Sequence, residues 1–296
     1  TPVYDMRVKH GDLIIATHGR GFWIMDDISR IYDAPAKAPK KAHLFAPRTT
    51  YRILPDLFSS WMPSEGRVYG MGDGSASTVI GKRTETGTIE RQYLDCGEGA
   101  PRGAVISYYL PEDLAADSNV SLKILDAQGK VVRTFTLKPV GYDKLDDNKK
   151  AMNPGPWLSG KAGVNKFAWN LHSEGSVKVL GNKTAGEANE GPFVVPGTYQ
   201  VQLSVGDTTL TESFEVVNDP RVKTTQKVLE EQIKLQQRML DKISEAHKAV
   251  NRLREIREQL DGWKKRATTA GEVVAAADAI LGKLAKIEDV LILPGD

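Results

Sequence analysis

Cysteine is almost absent from this sequence. Cys96 is the single one among 296 residues, so no internal disulfide staples the fold and no cysteine-built zinc site can form. A chain without bridges suits a reducing compartment and equally a periplasm. Long apolar runs are missing too. No stretch reaches the roughly 18 uninterrupted apolar residues of a bilayer helix, and the first residues show no charged start followed by an apolar run. Excess charge is lacking: 40 Lys and Arg stand against 38 Asp and Glu, for a net charge of +2. The one dense basic run, Lys264-Lys265-Arg266, reads as a solvated helix end, so nucleic acid is excluded as a main partner. His10, His18, His43, His172 and His247 have no ligand spacing, and "MGDGSAS" lacks the Gly-Lys-Ser/Thr ending of a phosphate loop. Asp143, Asp146, Asp147 and Asn148 in "DKLDDNKK" cluster oxygens without the spacing of an EF-hand loop and read as a solvated turn rather than a calcium site. No metal and no cofactor are expected.

What is present is an ordinary globular composition, 40% apolar and 26% charged, with length for two or three domains. Three textures follow one another. Residues 1–58 alternate short apolar runs with turns, notably Leu13 to Thr17 and Phe22 to Met25 on either side of a Gly-Arg-Gly turn. Residues 59–101, rich in Gly, Ser and Thr, predict an irregular connection with one strand near Arg91 to Asp95. Residues 102–222 hold "AVISYYL", "VSLKIL", "VVRTFTL", "NKFAWNL", "TYQVQLSV" and "LTESFEVV", each of strand length and β-branched or aromatic content. "DAQGK" and "GDT" supply hairpin turns. Short antiparallel strands in that number predict a sandwich of immunoglobulin or fibronectin type III kind, with Trp169 in its core. Two excursions, "PVGYDKLDDNKKAMNPGPWLSGKAG" and "SEGSVKVLGNKTAGEANEGPFVVPG", look too polar for core.

Residues 223–296 change abruptly to helix. Pro220 closes the β region, Thr224 or Thr225 can cap, and an apolar stripe through Leu229, Ile233, Gln236, Leu240, Ile243, His247, Val250, Leu253 and Leu260 recurs every three or four residues. A break over Gly262 and the Ala/Thr/Gly stretch to Gly271, and a second stripe through Val274, Ala277, Leu281, Leu284, Ile287 and Leu291, predict a hairpin. The two helices differ in length, so part of the longer one needs cover from the sandwich, from a second copy in a homodimer, or from further chain. The fold class is therefore mainly β with an α tail.

"DLIIATHGRGFWIMDDIS", "AHLFAPRTTYRI", "GAVISYYL", "VSLKILDAQGKVVRTF", "AGVNKFAWNL", "VPGTYQVQLSV" and "NDPRV" together resemble the C-terminal part of bacterial BNR-repeat, sortilin-like β-propeller proteins, often labelled glycosyl hydrolases. The resemblance runs in order through nearly the whole chain. It implies that "THGRGFWIMDD" closes a propeller ring whose other blades lie upstream, and that the protein is extracellular or periplasmic. Opening on Thr1-Pro2-Val3 without Met, the chain reads as a trimmed precursor or a fragment. The Asp-box pattern Ser-x-Asp-x-Gly-x-Thr-Trp does not occur, and no sialidase set of three arginines, a tyrosine nucleophile and a paired acid is evident. The expected role is a non-catalytic segment serving support, carbohydrate or protein binding, or dimerisation.

The alternative is a glycoside hydrolase, for which paired carboxylates are required. Asp26, Asp27, Asp73 and Asp95 are the catalytic candidates. A Gly-Arg-Gly turn could gather His18, Arg20, Asp26 and Asp27 into one cluster, and His18 and Arg20 are candidate ligand-binding residues. Trp61, Trp157 and Trp263 sit in polar, Pro- or Gly-flanked contexts where an exposed ring would stack on a sugar, or else plug a gap between modules. Trp61 and Trp157 join the candidate binding set.

Overall fold

Hairpin turns and period-two stretches set the first elements. Strands β1 (Val3–Lys9) and β2 (Asp12–Thr17) join through His10 and Gly11, whose φ values of 54° and 80° are those of a type I′ turn. β3 (Phe22–Met25) completes an antiparallel sheet of order β1-β2-β3. A short helix, α1 (Ser29–Asp33), follows the buried Ile28. The computed structural model describes residues 1–33, 39–53, 66–72, 75–84, 89–94, 101–181, 190–267 and 270–291. Over these residues the chain is mainly β with a C-terminal helical hairpin.

Strands β4 (His43–Leu44) and β5 (Thr50–Arg52) depart from the sequence expectation, which grouped them with the first strands. They serve two larger sheets instead. The stretch expected to be irregular holds an antiparallel sheet of β6 (Gly66–Gly72), β7 (Ser75–Arg83) and β8 (Ile89–Tyr93). β6 and β7 are rich in Gly, Ser and Thr, so backbone ladders define them where no apolar alternation announces them, whereas β8 overlaps the one strand expected near Arg91 to Asp95.

The larger sheets come from β9 (Ala104–Leu110), β10 (Val120–Leu125), β11 (Val131–Thr136), β12 (Gly163–Trp169), β15 (Gly197–Val205) and β16 (Thr208–Asn218), with β4 and β5 added. One has the order β11-β10-β15-β16-β5, in which β5 runs parallel to β16; the other has the order β12-β9-β4. Alternate residues of β9, β10, β12 and β15 are buried, as strands with one wet face require. Trp169 of β12, 0% exposed, lies 5.7 Å from Tyr199 and 6.3 Å from Phe214 of the facing sheet. Phe135 and Phe167 meet at 4.5 Å across the same core. Gly103 lets the backbone approach: a Cβ there would stand 2.0 Å from the Trp169 carbonyl oxygen. Tyr108 donates its hydroxyl to the Ser159 carbonyl at 2.7 Å, and burial pushes its pKa well up.

The chain divides into two compact units, and the second is discontinuous: 141–154, 172–195 and 224–296. The first excursion supplies α2 (Asp147–Met152), the second β13 (His172–Glu174) and β14 (Glu190–Phe193). Neither is merely solvated polar chain. Trp157 and Leu158 are buried in the first unit, and Val179 is buried against Val250 of α3 (Gln226–Arg266) in the second. Isolated apolar anchors do this work, and a single anchor leaves no periodic signal. Thr225 caps α3. The helix runs through Gly262 and ends at Arg266, so the break falls in the later part of the expected stretch, before α4 begins at Gly271: one glycine costs about 1 kcal/mol, too little by itself to stop a long run of good helix formers. Of the predicted stripe, Leu229, Leu240, His247 and Val250 are buried, while Gln236 is exposed. α4 (Gly271–Leu291) packs back on α3, where Glu288 receives Arg254 at 2.7 Å and Arg257 at 2.8 Å, and Lys264 bonds Asp278.

Truncating Trp169 to alanine should lower unfolding stability by about 3–5 kcal/mol in a denaturant titration. In the turn after β16, Asp219 is gripped by the Arg221 side chain at 2.6 Å, and hydrogen bonds from that side chain and from the Arg221 backbone hold its pKa down at about 2, below the ordinary 3.8. A carboxylate lowered on folding adds stability that is complete above its unfolded value and drains away as pH falls through its folded one. Asp219→Asn should therefore flatten the acid limb of the stability curve between about pH 4 and pH 2 while leaving its shape above pH 5 unchanged.

Candidate functional site

The first sheet is held at one end by a charged network. Asp12 accepts the Asp27 N–H at 2.9 Å and Arg48 Nη1 at 2.6 Å, while Arg48 also donates to the His10 carbonyl. The backbone hydrogen bond from Asp27 and then the Arg48 guanidinium keep the Asp12 carboxyl below its usual range. Asp27 adopts a left-handed φ of 55°, which turns its carboxylate back to accept the Ser29 N–H at 3.2 Å and the Ser29 hydroxyl. Its other oxygen stands 3.7 Å from Arg30, and Arg30 in turn donates to Ser107 of β9 at 3.0 Å. Asp27 is thus occupied in starting α1 and anchoring it. Asp26 is exposed, and its carbonyl accepts from Arg30 at 3.2 Å.

At the other end, Thr17 closes the Gly-Arg-Gly turn, donating its N–H and its hydroxyl to the Gly21 carbonyl at 3.1 and 2.9 Å. The His18 ring tilts over Tyr4 at 5.4 Å, and Arg20 is exposed. The expected gathering of His18 and Arg20 with Asp26 and Asp27 is corrected by this geometry. Phe22 begins the strand beside the turn and Asp26 follows its end, so about 13 Å of extended chain separates the two groups. A hairpin brings strands together sideways and keeps their ends apart.

The other candidates fall as follows. Asp73, Asp95 and Trp61 lie outside the described residues. Trp157 is 4% exposed, with the Lys138 ammonium 5.6 Å from its ring centre, so it offers no open face to a sugar. Trp263 is exposed on α3 under Arg266 at 4.8 Å. In the calcium-like stretch, Asp146 caps α2, accepting the Lys149 N–H at 2.9 Å. Among the described residues no group of three or more His, Cys, Asp or Glu converges to hold a metal.

The sheet's exposed surface is what sets it apart. Side chains directly opposite one another share a face, so the register puts Met6, Ile15, Trp23 and Val8, Leu13, Met25 together on one face, with Thr17 at its end. Phe22, Ala16, Ile14 and Ile24 lie on the other, beside Asp5 and Arg7. Phe22 is 77% exposed, Trp23 61% and Ile24 61%. Comparison with protein-family models, with curated proteins and with solved structures finds no match.

Sequence reasoning missed a second arrangement, on α3. Ser244, His247, Asn251 and Arg254 share one helix face and bind the main chain of 177–180: Val177 N–H donates to Ser244 at 3.2 Å, and the carbonyls of Val177, Lys178 and Leu180 accept from His247 Nδ1, Asn251 and Arg254. A carbonyl only accepts, so Nδ1 carries the proton. The spacing of three, four and three residues was visible, but His247 was read into the apolar stripe.

Asp12→Asn keeps the shape and removes the charge that holds the sheet's end. Amide exchange of Asp27 should rise roughly tenfold, in line with losing a charge-assisted hydrogen bond, with the β9 and β15 amides unchanged. Exchange at Asp27 equal to that of the parent chain would assign the anchoring elsewhere.

Proposed function

We propose that this chain is the non-catalytic C-terminal segment of a secreted BNR-repeat, sortilin-like β-propeller protein of the glycosyl-hydrolase-labelled kind. In this reading β1–β3 form part of the closing blade, the two facing sheets are an immunoglobulin- or fibronectin type III-like module, and the helical hairpin supports or dimerises the assembly. The carbohydrate or protein ligand belongs to the whole propeller.

One observation carries the reading: β1–β3 expose apolar side chains on both faces at once. A sheet with one wet face alternates polar and apolar residues, whereas a propeller blade is covered by a neighbour on each side. "LII" and "FWIM" have the unalternated pattern of strands meant for burial on both faces. The module assignment draws on short antiparallel strands in two facing sheets, with a core tryptophan on β12. A glycoside hydrolase would need two free carboxyl groups roughly 5–10 Å apart. Asp27 is taken up by Ser29 and Arg30, which favours the supporting role.

The purified chain should bind an apolar dye such as ANS, and Met6→Ser on one face and Phe22→Ser on the other should each remove part of the signal. It should release nothing from a panel of nitrophenyl glycosides. Dye binding that answers to one face only, or turnover that disappears in Asp26→Asn, would overturn the proposal.

A further inference from the structure

We infer that this chain pairs with a second copy of itself along the outer edge of β3, antiparallel and centred on Trp23. The inference concerns an edge rather than the two faces, and it stands without the propeller reading.

The main-chain groups that point outward follow from the ladder. Thr17 N–H bonds the Gly21 carbonyl, and in an antiparallel pair hydrogen-bonded and non-bonded rows alternate. With Ile15 opposite Trp23 and Leu13 opposite Met25, those rows are bonded inward to β2. Phe22 and Ile24, opposite Ala16 and Ile14, therefore turn their N–H and carbonyl groups away from the sheet. The assignment is consistent across β2: the two-residue turn makes Lys9 and Asp12 a bonded pair, so Asp12, Ile14 and Ala16 serve β1 while Leu13, Ile15 and Thr17 serve β3.

The two edges of this sheet are not alike. The β1 edge carries Asp5, Arg7 and Lys9 and a register shift between Val3 and Asp5, which are devices that discourage a further strand. The β3 edge is Phe22-Trp23-Ile24-Met25, exposed throughout and without a charge. An edge of that composition is a template for pairing.

The flanking residues say which strand fits. Residues 20–26 read Arg-Gly-Phe-Trp-Ile-Met-Asp, and this stretch is complementary to its own reverse. When Phe22 meets Ile24 of a second copy, their outward N–H and carbonyl groups exchange hydrogen bonds in both directions, and the two Trp23 side chains stand directly opposite. The two-fold arrangement also brings Arg20, in the turn just before β3, to the end of the pair where Asp26 of the second copy leaves its strand, and Asp26 to the end that holds the second copy's Arg20. Both side chains are exposed, and neither has an ion-pair partner among the described residues. Because Arg30 already holds the Asp26 carbonyl, the main-chain ladder stops at Ile24 and the outermost contact is the ion pair. The turn and the strand exit, kept apart within one chain, are brought together by two-fold symmetry, and such a contact closes on itself without growing into a fibre.

Sedimentation velocity or light scattering over a dilution series tests this on the intact chain. The expected result is a monomer–dimer equilibrium. Ile24→Pro removes an outward N–H without touching the bonds to β2 and should weaken the dimer by about tenfold or more, while Ile24→Thr, which keeps that N–H, weakens it less. Arg20→Asp and Asp26→Arg each bring like charges to the same end of the pair and should each weaken it several-fold; the double variant carrying both changes should recover the parent affinity. Circular dichroism of each variant confirms folding, and the charge exchange tests the two-fold arrangement even if the proline variant fails to fold. A chain monomeric at every concentration overturns the inference. So does a dimer indifferent to Ile24→Pro, or single charge variants that the double exchange does not rescue.

Discussion

Two sheets meeting across one layer of aromatic side chains hold the first unit together. Trp169 reaches from β12 between Tyr199 and Phe214 of the facing sheet, and Phe167 meets Phe135 beside it. Burying such rings removes more apolar surface from water than any other side chains here, and close packing makes the arrangement intolerant of lost volume. The same layer dictates details at its margin. Gly103 carries no Cβ because the Trp169 carbonyl occupies that place. β4 and β5 are recruited from far upstream because each large sheet has an edge that a further strand can pair.

Against that rigid core, the first sheet is tethered rather than embedded. Asp12, Arg48, Asp27 and Arg30 secure one end of it, while both its faces and the edge at β3 remain exposed. Charged residues tie a hairpin down at little cost in buried area, which leaves its apolar side chains exposed. Among the described candidates, Asp27 is occupied in starting α1, and Asp26 is separated along a strand from His18 and Arg20.

The second unit follows a different rule. A long amphipathic helix exposes more stripe than the shorter α4 can cover, and the segment 177–180 takes part of the remainder, its main chain bound by polar side chains and Val179 set against Val250. Glu288 with Arg254 and Arg257 then ties the helices with a nearly buried charge whose oxygens both find a partner. Beside the buried stripe of α3, Val228, Leu235 and Met239 stay exposed.

Much of this was legible in the residues themselves. Strand runs in 102–222, the tight turn before Asp12, the Thr225 cap and the α3 stripe are all written within a few neighbouring positions, and the physics that reads them is equally local: side-chain period, turn dihedrals, orphaned N–H groups. Trp169 could be placed in a core for the same reason. Only the tertiary structure decided which strands meet, that Gly- and Ser-rich segments form β6 and β7, that two polar excursions join the helices, and that His18 and Arg20 sit a strand's length from Asp26. Those outcomes turn on contacts between residues far apart in the chain, where the free energy of burial and pairing is set against loop closure, and no window of sequence contains both partners.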